Sequence, residues 1–117
     1  MSLIQIGAAI RNPFTGKAIT AKAPVDTGII LTAVPRRAAD EPQLPVIGRR
    51  RVATAKGTAE LDECVGVVEV MGRKAYVHML VSNDVDIVLI GATTLETLGL
   101  EVDPVTEKLK ETTTYLL

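Results

Sequence analysis

Apolar and polar residues alternate with period two along much of this chain, and that alternation predicts strands. From Leu3 to Ile10 the residues Ile4, Ile6, Ala8 and Ile10 share one face. Asn12-Pro13-Phe14-Thr15-Gly16-Lys17 then carries the Asn-Pro and Gly signals of a tight connection. On the return arm Ile19, Ala21, Ala23 and Val25 fall on one side, with Thr20, Lys22 and Pro24 on the other. A hairpin is predicted, and its second arm runs straight into Asp26. Pro24 cannot donate to a ladder, which places that arm at a sheet edge or turns position 24 outward.

Between Ile29 and Ile47 lie three prolines and the polar segment Arg36–Gln43, room for at most a short helix after Pro35. Arg49–Ala55 and Thr58–Val70 read as two arms joined at Lys56-Gly57, the second long enough to bend or carry a bulge near Gly66. A turn at Met71–Lys74 leads into Ala75–Val81, where Ala75, Val77, Met79 and Val81 alternate with Tyr76, His78 and Leu80. Ser82-Asn83-Asp84 breaks the pattern. Asp86–Ile90 reads as a short core strand ended by Gly91. The spacing then changes: Leu95 and Leu98 predict one short helix over Ala92–Leu98, with Thr93 or Thr94 as its cap and Gly99 as its stop. Leu100–Val102, a turn at Asp103-Pro104, and Leu109–Tyr115 close the chain as strand, turn and strand. The fold class expected is all-β, with one short helix in the C-terminal half.

Composition narrows the function classes. A length of 117 residues suits one domain spanning 1–117. Aromatic residues make up 3%, with no Trp, so the core must be aliphatic. A net charge of −1 shows no basic excess, and nucleic acid is not an expected partner. The apolar runs are too short for a membrane span, and Met1–Ile10 lacks the charged start and long apolar core of a leader. The expectation is a cytoplasmic protein with no membrane partner. The lone Cys64 cannot form an internal disulfide and has no His partner at a known motif spacing, so it reads as a buried or half-buried thiol. His78 has no second His, so no metal set can be assembled and no cofactor is expected. Arg49-Arg50-Arg51 reads as a solvated face, and Glu60, Asp62 and Glu63 as surface charge on the long arm.

The remaining chemistry is Asp26-Thr27-Gly28. Alone, such a triplet is a turn: Asp bonds its own backbone and Gly accepts positive φ. Its surroundings point beyond that reading. An apolar strand enters it, a hairpin with a small tip lies at Ala55–Thr58, and the apolar run ending in Gly91 leads into a helix.

In these features the chain resembles the retropepsin-like aspartic proteases, whose single-domain members work as homodimers. The resemblance rests on Val25-Asp26-Thr27-Gly28 and on Val88-Leu89-Ile90-Gly91-Ala92-Thr93-Thr94-Leu95. The runs Arg49–Gly57 and Leu98–Pro104 look like a small prokaryotic subgroup described as clan AA aspartic proteases. The resemblance implies a retropepsin-like closed β-barrel and a dimer whose two copies of Asp26 form one catalytic pair. Thr27 and Gly28 would support the active-site loop, Gly91 would pack beneath it, and Ala55, Lys56, Gly57 and Thr58 would form a flap. The implied activity is an aspartic endopeptidase acting on peptide or protein substrates. A rival reading keeps the fold without catalysis, as a dimeric β-module that binds an extended peptide or protein partner. Ile29 after the triplet, where the family most often has a small residue, and a flap with the single Gly57 favour that rival; the intact triplet favours the enzyme.

Overall fold

The computed structural model describes residues 4–116; Leu3, where the first predicted strand begins, lies outside them. β1 (Gln5–Arg11) and β2 (Ala18–Pro24) form the predicted antiparallel hairpin. Its turn is fixed by buried Asn12: the side-chain oxygen accepts from the N–H groups of Phe14 and Thr15 at 2.8 and 3.1 Å, and the amide donates to the Gln43 carbonyl at 2.6 Å. β2 lies at the end of the sheet, where Pro24 leaves no ladder donor missing.

β3 (Thr32–Val34) and the five-residue helix α1 (Arg36–Asp40) occupy the proline-rich stretch. The helix follows Pro35, as the sequence permits; β3 was not foreseen. β4 (Val46–Thr54), β5 (Gly57–Val70) and β6 (Arg73–Val81) follow as antiparallel neighbours. β5 is 14 residues long and shares its length among three partners, pairing with β4, β6 and β1. The expected irregularity near Gly66 falls elsewhere. Gly66 stays in register with Val77, and the shift occurs on β4 between Val46 and Gly48. Gly66 serves close packing instead, since a β-carbon there would sit 2.7 Å from Met79 Cε.

The β6 alternation is as predicted, with Ala75, Val77, Met79 and Val81 buried. Asp86–Ile90 is not a strand: only Leu89 and Ile90 find partners, and Ile87 is exposed. The helix α2 (Ala92–Leu98) has the predicted span, and Gly99 ends it in the left-handed conformation at φ 71°. Its N-cap is Gly91 rather than Thr93 or Thr94, and no side chain caps it. β7 (Leu100–Val102) and β8 (Leu109–Glu111) make a separate small sheet, and β8 stops short of the predicted Tyr115.

The main sheet runs β2-β1-β5-β6-β3, with β4 branching from β5. Among the described residues no ladder joins β3 back to β2. Single bridges do: Val25 pairs with Ile90 and Ala33 with Leu89, so one dipeptide links the two ends of the path. The core inside this circuit is aliphatic, led by Ile10, Val34, Val68, Met79, Val81 and Ile90, while Phe14, Tyr76 and Tyr115 are exposed. Each large aliphatic side chain buried there contributes roughly 1.5–3 kcal/mol of transfer free energy.

Candidate active site

The segment from Asp26 to Leu31 is a loop held at both feet by backbone bonds. At its entry the Ile90 N–H donates to the Pro24 carbonyl at 2.9 Å, and the Asp26 N–H donates to the Ile90 carbonyl at 2.9 Å. At its exit Ala33 and Leu89 exchange N–H to carbonyl bonds of 3.0 and 2.9 Å. In between, the first N–H groups of α2 donate to the loop: Ala92 to the Ile29 carbonyl and Thr93 to the Ile30 carbonyl, both at 2.9 Å. These are helix-start donors with no partner inside the helix, and the loop satisfies them.

Beneath the loop lies a buried hydroxyl pair. The oxygens of Thr32 and Thr94 are 2.7 Å apart, and Thr32 Oγ1 accepts from the Gly91 N–H at 3.0 Å. In the sequence Thr94 stands as a candidate cap and within the run Val88–Leu95 that carries the resemblance, and Thr32 stands out in neither way. A Thr that opens a three-residue strand carries no periodicity that marks it, so only the fold reveals this pair. Gly91 itself is enclosed by backbone, with a virtual β-carbon 2.8 Å from the Leu31 carbonyl oxygen and 2.9 Å from that of Ile30.

Asp26 is half-buried on this mount. Its Oδ1 accepts from the Gly28 N–H at 2.9 Å, which fixes the carboxylate plane, while Oδ2 has no bond among the described residues. A β-carbon at Gly28 would stand 3.1 Å from that same Oδ1. Thr27 is exposed and borders a depression of about 430 Å3 against α2 and β7. Ile30, close behind, is 74% exposed.

On the other side the loop opens into a groove of about 500 Å3. Gly28 and Ile29 line it from the loop, and Val52, Thr54 and Leu61 line it from the arms of the β4–β5 hairpin. The flap candidates Ala55, Lys56, Gly57 and Thr58 form the exposed hairpin tip, and the arms rather than these tip residues line the groove. Thr54 shapes the tip: its hydroxyl donates to the Gly57 carbonyl at 2.8 Å and accepts from the Lys56 N–H at 3.2 Å. Gly57 has φ 116°, a conformation that suits glycine. The structure thus gathers Asp26, Thr27, Gly28 and Gly91 around one loop, and the hairpin arms face Gly28 and Ile29 of that loop across the groove.

Glu63 corrects the sequence reading. It is buried, not surface charge, and its carboxylate accepts from Arg50 Nε at 2.6 Å and bonds His78 Nδ1. The hydrogen bond from Arg50, then that with His78, holds its carboxyl below the ordinary range against the opposing effect of burial. Cys64 is buried as expected, and loss of solvent pushes its thiol up to about 11. Glu60 and Asp62 do pair at the surface, with Arg49, Arg51 and Arg36.

No protein-family model and no curated protein matches the sequence. Solved structures do match. The chain is similar to the simian foamy virus (mac) protease, with 27% identity over 80% of this chain and 92% of that one, at a TM-score of 0.58. It is also similar to the foamy viral protease-reverse transcriptase in complex with an RNA/DNA hybrid, at 22% identity and a TM-score of 0.59. That match covers 80% of this chain and 12% of the much longer viral one, and it speaks to fold alone. A mostly β chain with this likeness has the retropepsin-like fold of the viral proteases.

Proposed function

We propose that the chain is one half of an aspartic endopeptidase, completed when two copies meet about a two-fold axis at Asp26. The observation that carries this reading is the Asp26 carboxylate, fixed through Oδ1, with a free Oδ2, beside a groove under a hairpin. The likeness to a viral protease over most of both chains supports it. On this reading the circuit closed by Leu89 and Ile90 is the closed β-barrel of the fold, and the likeness of the runs Arg49–Gly57 and Leu98–Pro104 to the small prokaryotic subgroup supports counting the chain with it.

Residues near a two-fold axis meet their own copies. Two carboxylates brought together cannot both stay ionised, so they share one proton and titrate as a pair. The ionised member takes a proton from the attacking water, while the protonated member donates a hydrogen bond to the scissile carbonyl. Thr27, exposed at the centre of the triplet, bonds across the axis. The Ala55–Thr58 hairpin closes over the peptide and excludes water, and its arms hold the peptide as an added strand.

The test is a peptide library incubated with purified protein from mildly acidic to neutral pH. Cleavage stopped by an aspartic-protease inhibitor and absent in Asp26→Asn supports the reading; no cleavage at any pH sinks it. One observation favours a second reading, a non-catalytic peptide-binding dimer: Ile29, β-branched, stands in the groove directly after the triplet. Peptide binding without cleavage is the result that selects it.

A further inference from the structure

The groove side of the β4–β5–β6 sheet carries a polar cluster that catalysis does not use. Arg50 is paired with Leu61, and Glu63 with Leu80, so Arg50, Leu61, Glu63, His78 and Leu80 share one face. Arg50 Nε and Nη2 donate to the two Glu63 oxygens at 2.6 and 3.3 Å, and His78 Nδ1 bonds Glu63 Oε2 from the far side. Among the described residues Arg50 is the one charged side chain lining the groove, and its Nη1 makes no hydrogen bond. A guanidinium gripped at two points has already given up its rotamer freedom. Its remaining donors are therefore preorganised for an acceptor.

The groove is otherwise apolar near Arg50, with Val52, Leu61 and Leu80 beside it. A peptide lying there as a strand presents alternate side chains to this wall. Glu63 balances the charge of Arg50, so the free donor suits a neutral amide oxygen as well as a carboxylate. It repels a cation.

Resting on the proposed peptide-binding groove, we propose that Arg50 is a specificity-determining residue that reads a Glu or Gln side chain at one position of a peptide with apolar neighbours. Glu63 is its positioning residue, held in turn by His78.

The test is a set of peptides, derived from one bound or cleaved peptide, in which each position in turn is Glu, Gln, Leu or Lys. kcat/KM is read with the native protein and Kd by calorimetry with Asp26→Asn. At one position Glu and Gln should be preferred over Leu by about tenfold, with Lys the poorest. Arg50→Leu should abolish that preference and leave those at other positions unchanged. Glu63→Gln removes the balancing charge and should raise the preference for Glu over Gln, a change that mere loss of packing does not produce. The same ranking in native and Arg50→Leu protein overturns the proposal and leaves the peptide-binding function standing. Failure of the native protein to bind or cleave any peptide overturns that function, and this proposal with it.

Discussion

The backbone of Leu31 lies so close to Gly91 that a β-carbon at position 91 would sit 2.6 Å from the Leu31 carbonyl carbon. The obstacle is main chain, which cannot rotate aside as a side chain can. Gly91→Ala must displace the Asp26 loop or the start of α2. The expected cost is about 1–3 kcal/mol, typical of overpacking. Urea unfolding checks it, and a variant as stable as the native protein counts against the close packing described.

The pair Thr32 and Thr94 makes a second prediction. Both are buried, and Thr32 Oγ1 serves Thr94 and the Gly91 N–H together. Thr32→Val keeps the shape and leaves a buried N–H and a hydroxyl without that partner, a loss of roughly 1–3 kcal/mol. Thermal unfolding reads the stability. Slower amide exchange at Gly91 in the variant is the outcome that speaks against this role.

Asp26→Asn retains an oxygen for the Gly28 N–H but cannot share a proton with a second carboxyl. Peptide cleavage should fall by roughly a thousandfold, within the range of general acid–base contributions. The circular dichroism spectrum should not change, which separates lost chemistry from lost fold.

Ile30 tests the two-copy site without touching the carboxylate. Its carbonyl is held by Thr93 while its side chain is exposed. Ile30→Asp leaves that backbone bond in place and puts two like charges near the proposed axis. Sedimentation velocity should show the population move from dimer to monomer, with activity lost in parallel at low protein concentration. Unchanged sedimentation argues against an axis at this loop.

Acid stability tests the Glu63 cluster. Its carboxyl lies below the ordinary value of 4.5 in the folded protein. A carboxyl depressed by folding contributes stability above its unfolded value and loses it as pH falls through the folded one. Urea midpoints of native protein and Glu63→Gln should therefore differ at pH 6 and draw together as the pH drops below about 4.5. Curves that stay parallel contradict the assignment.

The sequence made the local elements legible and the long-range ones not. The first hairpin, β6 and α2 announce themselves by periodicity and by Gly99, because each pattern completes within a few residues. β3 is three residues long and pairs parallel to β6, a partner more than forty positions away, so no local signal marks it. Asp86–Ile90 has the apolar content of a strand, yet only its last two residues reach a neighbour. Asp26, Gly28 and Gly91 were visible as candidates through the resemblance to the retropepsin-like pattern, since local chemistry alone reads the triplet as a turn. Glu63 was misread because its burial comes from Arg50 and His78 on adjacent strands, which the residues beside it in sequence do not disclose.

The dipeptide Leu89-Ile90 and the first N–H groups of α2 hold the Asp26 loop by main-chain atoms throughout. Such a mount is indifferent to which side chains stand at positions 29 and 30. Substitutions there can therefore recut the wall of the groove, or the face proposed to meet a second copy, while the carboxylate keeps its place. Ile29 is then a choice of tenant in a fixed frame, and changing it alters what the groove accepts before it alters how the aspartate is aimed.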